Sequence, residues 1–168
     1  MTPQQLTTLK AAILAVTDQE FVALRNANNE QGMADWFNVA ADPAYYVKRK
    51  TLARHDILTG TSDDGTTFAW AAGAYITRNQ GERDAFREMF NDTGNVDPWL
   101  PTILSAFADI FSGTGGAGNR AHIAAMSRRA AKRVEKVFAS GAGTKAAPSV
   151  SNFEGTVSAQ DIADALRT

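Results

Sequence analysis

The stretch Phe111–Met126, FSGTGGAGNRAHIAAM, contains a glycine pattern that could bind a nucleotide. Gly113, Gly115 and Gly118 match the G-x-G-x-x-G fingerprint, in which glycines let the backbone approach a pyrophosphate. Gly113 and Gly118 also have the spacing of a phosphate-binding loop, G-x-x-x-x-G-K-[ST]. The pattern therefore raises the hypothesis of a nucleotide-binding enzyme.

The residues around these glycines disagree with both motifs. A dinucleotide fingerprint follows a strand, yet the preceding PWLPTILSAFADIF has apolar residues at helical spacing. Asn119 and Arg120 follow Gly118, so the lysine and the metal-binding hydroxyl of a phosphate loop are missing. We therefore interpret the glycines as a flexible connection between two helices. The alternative is that the N-terminus of the second helix binds some other anion.

No other pattern in the sequence predicts catalysis, a metal site or a cofactor. The chain has no cysteine, which excludes disulfides, thiol nucleophiles and thiolate metal ligands. His55 and His122 lie far apart, and we interpret each as a solvated or capping histidine. Asp63 and Asp64 fall in a turn-rich loop, TSDDG, without the remaining ligands of a calcium loop. We expect no enzymatic activity, no metal and no cofactor.

A cationic helix is the main binding feature that the sequence predicts. The periodicity predicts one long helix from Asn119 to about Ser140, ended by Gly141-Ala142-Gly143. Its apolar side would pack on the domain, and its other side would present Arg128, Arg129, Lys132, Arg133 and Lys136. Two interpretations stay open. The cationic side is a solvated face, or it binds an anionic partner, either a nucleic acid backbone or an acidic protein.

An extended arm is predicted at residues 42–50. Asp42-Pro43 breaks the helical pattern, and the segment that follows combines tyrosines with three successive cations. We expect this arm to contact a neighbouring subunit, together with Phe153 of a loose segment at 141–157. The arm residues are Tyr45, Tyr46, Lys48, Arg49 and Lys50. Both segments are expected to be mobile in the isolated protein and ordered in an assembly.

The rest of the chain predicts short helices. Thr2-Pro3, Thr17–Glu20 and Ser158 are helix-start signals. Further helices are predicted at 30–40, 51–58, 67–77, 82–90 and 97–111. With 168 residues, of which 44% are hydrophobic, the chain fits one domain with a real core. The predicted class is mainly α, a single domain over 1–168. It would be a bundle of short helices with one long basic amphipathic helix and extended arm and loop segments.

The net charge of −1 is unevenly distributed along the chain. Residues 1–119 carry nine Lys/Arg and fourteen Asp/Glu, whereas residues 120–168 carry eight and four. Such asymmetry favours a charged partner or self-assembly. No apolar run approaches twenty residues, so no membrane contact is expected, and the N-terminal MTPQQLTTLK does not have the pattern of a secretory signal.

Two stretches near the chain ends carry a recognisable pattern. They are LTTLKAAILA and NRAHIAAMSRRAAKRVEKVFASGAGTKAAPSVSNFEGTVSAQDIADAL. An amphipathic LxxLK helix opens the chain, and EK-F-A-x-G-x-G is followed by FEG, a capping Ser/Thr and a final helix. The matching residues are Glu135, Lys136, Phe138, Ala139, Gly141, Gly143, Phe153, Glu154, Gly155 and Ser158. This pattern resembles a family of small, mostly uncharacterised tailed-bacteriophage proteins. It covers roughly the first 40 and last 50 residues, and the middle diverges.

The resemblance implies a virion setting rather than a reaction. It implies a structural virion protein, assembled in the host cytoplasm as a head–tail connector (adaptor or neck) ring. Its partners would be further copies of the chain, portal or tail proteins and, without sequence specificity, packaged DNA. Two alternatives stay open: a decoration or tail-associated virion protein, and a soluble phage-encoded enzyme or DNA-binding accessory factor.

Overall fold

The fold is given by a computed structural model that describes residues 1–71 and 73–168. It is 47% helical, and its strands are only two or three residues long, so helices dominate without forming a purely helical bundle. The helices within the described residues are α1 (Pro3–Ala15), α2 (Gln19–Asn26), α3 (Glu30–Asn38), α4 (Arg54–Thr59), α5 (Gln80–Glu88), α6 (Pro101–Ile110), α7 (Ala117–Met126), α8 (Arg133–Val137) and α9 (Ala159–Arg167). The strands are β1 (Tyr46–Lys48), β2 (Leu52–Ala53), β3 (Asn95–Val96), β4 (Arg128–Ala130), β5 (Ala139–Ser140) and β6 (Val150–Ser151).

The contacts between residues divide the chain into two compact units. The terminal unit consists of Met1–Val47 and Ala130–Thr168, and the middle unit consists of Lys48–Arg129. Each unit has its own hydrophobic core. The sequence predicts a single domain over 1–168, and that stays a prediction.

The terminal unit is built from helices whose starts the sequence predicts correctly. Thr2 opens α1 with a capping box, Asp18 caps α2, and Ser158 caps α9 with Asp161 as its reciprocal partner. The apolar faces of α1, α3, α8 and α9 meet in one core, in which Phe21, Trp36 and Phe37 form a set of edge-to-face and tilted ring contacts. The short pair β5–β6 is antiparallel, with Ala139 opposite Ser151.

The middle unit has an aromatic core between shorter elements. Phe86 is fully buried, and its ring lies within 5.5–6.4 Å of five other aromatic rings. The antiparallel pair β2–β3 leads into α4, and helices α5, α6 and α7 supply most of the remaining core. Long irregular segments connect these elements, so much of the backbone relies on side chains for its hydrogen bonds.

The predicted long helix from Asn119 to Ser140 is wrong. Helix α7 ends at Met126, the chain is extended at Arg128–Ala130, and the separate helix α8 covers only Arg133–Val137. The Ser127 hydroxyl donates to the Ile123 carbonyl at the end of α7, and the Arg128 side chain then turns to the TSDDG loop. The Glu135 carboxylate accepts from the Lys132 N–H at 2.9 Å, which starts the new helix. Tertiary contacts therefore override a continuous helical pattern.

The predicted helix at 67–77 is also wrong for the residues that the structure describes. Position 72 lies outside them. Residues 67–71 and 73–77 form a bridge, bends and turns instead. Phe68 and Tyr75 are buried as expected of core residues, but Trp70 and Ile76 are 47% and 58% exposed. The buried Asn119 side chain accepts from Ala69 N–H and donates to the Ala69 carbonyl, which holds this segment in a non-helical path.

The arm at 42–50 is extended at Tyr46–Lys48, as the sequence predicts, but its backbone is bound to its own chain. Tyr46 N–H donates to the Gly143 carbonyl, and Ser149 N–H donates to the Tyr46 carbonyl. Residues 42–47 of the arm and the loose segment 141–157 thus hold each other within the terminal unit. Val47 is fully buried, so this part of the arm does not project into solvent.

Candidate functional site

The five cations predicted for one helix face do not lie on one helix in the structure. The break in the helix places Arg128 and Arg129 in the middle unit, and Lys132, Arg133 and Lys136 in the terminal unit. The predicted basic amphipathic face is therefore absent from the described residues, and each cation has to be considered in its own surroundings. Their predicted role toward an anionic partner stays a prediction.

Arg128 is part of a buried ion-pair cluster. Its side chain is only 8% exposed, and its guanidinium contacts the carboxylates of Asp63, at 3.2 Å, and Asp64. The aspartates belong to the TSDDG loop, which the sequence suggests is a plain turn. A buried guanidinium between two carboxylates holds this loop against β4. Arg128 therefore has a structural contact that the helical pattern could not reveal.

Four half-buried or exposed cations lie on two neighbouring segments of the middle unit, and we call them the cationic patch: Lys48, Arg49, Lys50 and Arg129. The chain segments that carry them are joined because Arg49 N–H donates to the Ser127 carbonyl at 2.9 Å. The Arg49 side chain reaches the same segment, where its Nε donates to the Arg128 carbonyl at 3.3 Å. The structure thus unites three predicted arm residues with one predicted helix cation.

An apolar groove adjoins the cationic patch within the middle unit. It lies between α6 and α7, has a volume of about 160 Å³, and includes Trp99, Leu104, Phe107 and Ile123 in its lining. The Trp99 indole N–H donates to the Ser127 carbonyl at 2.8 Å, and Lys48 Nζ lies 4.5 Å from the centroid of the same indole. Trp99 is therefore a wall of the groove and a support of the patch.

The rim of this groove carries apolar and cationic side chains. Leu100, the N-cap residue of α6, and Leu104, one turn further along, are 49% and 44% exposed. Arg120 lines the groove, and no carboxylate is among the described residues that do so. Asp97 is the nearest carboxylate in the sequence to Trp99, and it accepts from the Trp99 backbone N–H. We call this lining and rim the α6–α7 groove.

In the terminal unit the predicted cations contact aromatic rings and carbonyl groups. Arg133 lies 3.9 Å from the centroid of the Trp36 indole, and its guanidinium donates to the Trp36 carbonyl. Lys132 Nζ donates to the Gly155 carbonyl at 3.2 Å. Lys136 is exposed, with its Nζ 5.5 Å from the Tyr45 ring centroid. Two of these three cations thus stabilise the unit they belong to.

The remaining predicted arm residues pack inside the terminal unit. The Tyr45 hydroxyl donates to the Gly141 carbonyl at 3.0 Å and lies 2.7 Å from Ser149 Oγ. Tyr46 lies beneath Lys145, whose Nζ is 5.5 Å from its ring centroid. Phe153 packs on the Phe138 ring at 5.2 Å. These contacts bring Tyr45 and Tyr46 to the loose segment but do not place them with the cationic patch.

The glycine stretch connects two helices, as the sequence suggests, because α6 ends at Ile110 and α7 begins at Ala117. A methyl group on Gly115 would collide with the Gly73 backbone, and one on Gly116 with the Phe111 carbonyl. Arg120 donates to the carbonyls of Phe111 and Gly113, so its guanidinium braces the loop. Close packing explains Gly115 and Gly116 without any phosphate.

His122 is the clearest polar residue that the sequence misassigns. It is fully buried, and its Nε2 donates to the Ile57 carbonyl at 2.9 Å, since a carbonyl oxygen can only accept. Nδ1 lies 3.2 Å from Thr66 Oγ1, which in turn lies 2.7 Å from Ser62 Oγ. The prediction of a solvated histidine is wrong, whereas the bond to the Ile57 carbonyl, in the last turn of α4, is that of a helix-capping side chain. No periodicity signal distinguishes such a residue, because its partners are loop groups distant in sequence.

Metal-ligand sets and shifted pKa values in the described residues bear on the chemistry of the chain. No group of three or more His, Asp or Glu side chains in them is arranged to hold a metal ion. The clearest pKa change lies at a helix start. Burial raises the pKa of the Asp161 carboxyl. Hydrogen bonds from Ser158 and the nearby N-terminal amino group lower this pKa by more, so that it lies below its ordinary value of 3.8.

The described part of the chain contains no helix with the length and apolarity to cross a membrane. Comparison with family models, with curated proteins and with solved structures finds no match for this chain. The function therefore has to be argued from the residues and their contacts.

Proposed function

We propose that this chain is a non-catalytic structural protein of a tailed-phage virion, a head–tail connector subunit that assembles into a ring. The observation that carries the proposal is the role of the residues in the phage-like pattern. Where their contacts are described, they cap, pack or turn the terminal unit, and none of them lines a cavity with catalytic chemistry. A pattern whose residues form a scaffold, by capping, packing and turning the chain, is explained by the fold itself, without catalysis.

Glu135 is the centre of this scaffold. It is 2% exposed, and its carboxylate accepts from the backbone N–H groups of Lys132 and Gly155, at 2.9 and 3.3 Å. Its carbonyl accepts from the Ser151 hydroxyl. One buried carboxylate thus ties the EK helix to the FEG turn, which supports a structural reason for both parts of the pattern.

Gly143 and Phe153 complete the scaffold. Gly143 has a positive φ of 65°, and a side chain there would overlap the Tyr45 ring. Phe153 packs on Phe138 of the EK-F-A segment. The pattern covers roughly the first 40 and last 50 residues, and the terminal unit is formed by residues 1–47 and 130–168. The matching residues from Glu135 to Ser158 all lie in the terminal unit, whereas residues 119–129 of the resembling stretch belong to the middle unit.

Quantitative mass spectrometry of purified virions tests this proposal. A connector subunit should be present at a fixed small multiple of the portal copy number, and sedimentation of the pure chain at rising concentration should reveal self-association. Absence from virions would contradict a structural role of any kind. A copy number near that of the major capsid or tail-tube protein would instead assign the chain to capsid decoration or to the tail.

A second function, a soluble DNA-binding accessory factor, is favoured by the cationic patch. Four Lys/Arg on two joined segments would suit a phosphate backbone, whose binding weakens steeply as salt rises. Such a factor should be missing from virions and should bind duplex DNA at low salt. The same virion measurement therefore separates the two functions.

A further inference from the structure

We infer that residues 48–129 are an inserted module that folds and unfolds as a cooperative unit of its own. The terminal unit then keeps its fold while the middle unit opens or rearranges, a conformational freedom that a single cooperative domain lacks. The inference goes beyond the proposed function and does not depend on it, because it concerns only how stability is divided within the chain.

The terminal unit closes the interruption in its chain with its own hydrogen bonds. The chain leaves this unit after Val47 and returns to it at residue 130. Beside the interruption, Ala131 N–H donates to the Tyr45 carbonyl at 2.8 Å, and the Ala131 carbonyl accepts from Ala41 N–H at 2.9 Å. The two segments are therefore fastened to each other by groups that all belong to the terminal unit.

The middle unit fastens its own two ends in a similar way. Arg49, its second residue, donates its backbone N–H to the Ser127 carbonyl at 2.9 Å and its Nε to the Arg128 carbonyl at 3.3 Å. The Trp99 indole N–H donates to the same Ser127 carbonyl at 2.8 Å, which ties this closure to the segment before α6. A folded unit whose ends lie close together can be inserted into another without disturbing it.

Each unit buries a core of its own, and the two sets of described core residues share no member. Both segments of the terminal unit contribute to its core, with Phe37 from the first and Val134 and Ile162 from the last. The core of the middle unit runs in sequence from Leu52 to Met126. Each unit exceeds the length of roughly 55 residues at which many single domains fold alone.

The large aromatic side chains of each core contact rings of their own unit. Phe37 is 1% exposed and makes edge contacts with Phe21 and Trp36, at centroid distances of 5.3 and 5.1 Å. Phe86 is fully buried among five aromatic rings of the middle unit. Truncating either phenylalanine opens a cavity in one core, so the two units can be destabilised one at a time.

Native-state hydrogen exchange on the full chain tests the inference with Phe86→Ala and Phe37→Ala. Phe86→Ala should raise the exchange rates of amides in α5, α6 and α7 by about tenfold or more, and leave those in α1 and α9 within about twofold. Phe37→Ala should do the reverse. Ile76→Ala in the middle unit and Leu14→Ala in the terminal unit, both at residues that are 58% exposed, are the matched controls and should change neither set.

Tryptophan fluorescence in urea provides a second readout. The terminal unit contains Trp36, and the middle unit contains Trp70 and Trp99. A chain with Trp70→Phe and Trp99→Phe therefore reports on the terminal unit alone. Its unfolding midpoint should not change when Phe86→Ala is added, even if this substitution unfolds the middle unit completely.

Loss of protection in both units after either core substitution would overturn the inference and support the single cooperative domain that the sequence predicts. A Trp36 midpoint that falls with Phe86→Ala would do the same, as would exchange rates that stay unchanged in the substituted unit. None of these outcomes bears on the copy number of the chain in purified virions, so the inference and the proposed function fail separately.

Discussion

The terminal and middle units solve the same folding problem with different interactions. In the terminal unit, capped helices such as α1 and α9 bury regular apolar faces against each other. In the middle unit, the aromatic core is surrounded by irregular backbone whose polar groups are bound by buried side chains, notably Asn119 and His122. Regular elements satisfy their own backbone, whereas irregular segments depend on individual long-range hydrogen bonds.

This difference has a functional consequence. The terminal unit uses most of its motif residues and two of its three predicted cations for internal contacts. Both units leave large apolar side chains at the surface, Leu14 and Val39 in the terminal unit and Leu100 and Leu104 in the middle unit, and Leu104 also lines the α6–α7 groove. We therefore expect the terminal unit to act as a scaffold and the middle unit to make the selective contacts.

The largest effect is expected from the two asparagines that clamp a loop in each unit. Asn119 is fully buried; its side chain accepts from the Ala69 N–H and donates to the Ala69 carbonyl. Asn38 is half-buried, and its side chain makes the same pair of hydrogen bonds with the backbone of Val157. Asn119→Ala should cost about 3 kcal/mol, because it leaves buried loop groups unsatisfied. Asn38→Ala should cost about half as much, since water reaches its loop. Urea unfolding of both variants measures the difference, and equal costs would contradict the comparison.

The glycine stretch gives a second matched pair. A methyl group at Gly116 would meet the Phe111 carbonyl, whereas one at Gly118, within α7, meets nothing within 4 Å. Gly116→Ala should therefore destabilise the chain by about 2 kcal/mol or more through overpacking. Gly118→Ala should stabilise it by about 0.5 kcal/mol, since alanine favours a helix. Melting temperatures that fall equally for both would indicate that Gly118 has a role the packing does not reveal.

Much of the terminal unit can be predicted from sequence because its signals are local. Caps at Thr2, Asp18 and Ser158 and the apolar spacing in α1 are all visible within a few residues. The middle unit resists such prediction, because the 67–77 segment has helical composition but is held by Asn119 from far along the chain. The end of α7 at Met126 cannot be predicted for the same reason, because Arg128 forms ion pairs with Asp63 and Asp64, which lie far away in the sequence.

The sequence identifies most cations of the candidate site, but it does not predict which of them lie on neighbouring segments. The sequence predicts Lys48, Arg49 and Lys50 as cations of an arm, and in the structure Lys50 is exposed whereas Lys48 and Arg49 are half-buried. It does not indicate that Arg129 joins them, because a continuous helix would direct that residue elsewhere. Trp99 and Leu104 are missed as groove residues, since a helical pattern alone assigns every leucine of α6 to the core.

Arg128, whose side chain is buried, and Lys136, which is exposed, form a matched pair of cations. We expect their substitution to have moderate and different effects on stability. Arg128→Gln should cost about 2 kcal/mol, because the buried guanidinium leaves Asp63 and Asp64 without their common partner. The partial exposure of both aspartates keeps the cost below that of a fully buried pair. Lys136→Gln, at an exposed site, should change stability by less than about 0.5 kcal/mol. Denaturant curves that rank the two variants in the opposite order would overturn the assignment of Arg128.

The smallest effect concerns acid stability in the terminal unit. The pKa of Asp161 is lower in the folded chain than its ordinary 3.8, so ionised Asp161 stabilises the fold above that pH. This stabilisation is lost as the pH falls through the lowered pKa. Asp161→Asn should therefore be less stable than the natural chain at neutral pH, with the gap closing below about pH 4. Melting temperatures from pH 2 to 7 provide the check, and a constant gap would contradict the pKa direction.

Incorporation of variant chains into virions tests the division of labour between the two units most directly. Leu104→Lys in the middle unit and Lys136→Glu in the terminal unit would be expressed during infection in place of the natural chain, and quantified in purified particles by mass spectrometry. Both should melt within a few degrees of the natural chain, since both residues are exposed. We predict that Leu104→Lys is depleted from particles at least tenfold and that Lys136→Glu is incorporated normally. Equal incorporation of both variants, or depletion of Lys136→Glu alone, would contradict a scaffold formed by the chain ends and a partner surface on the middle unit.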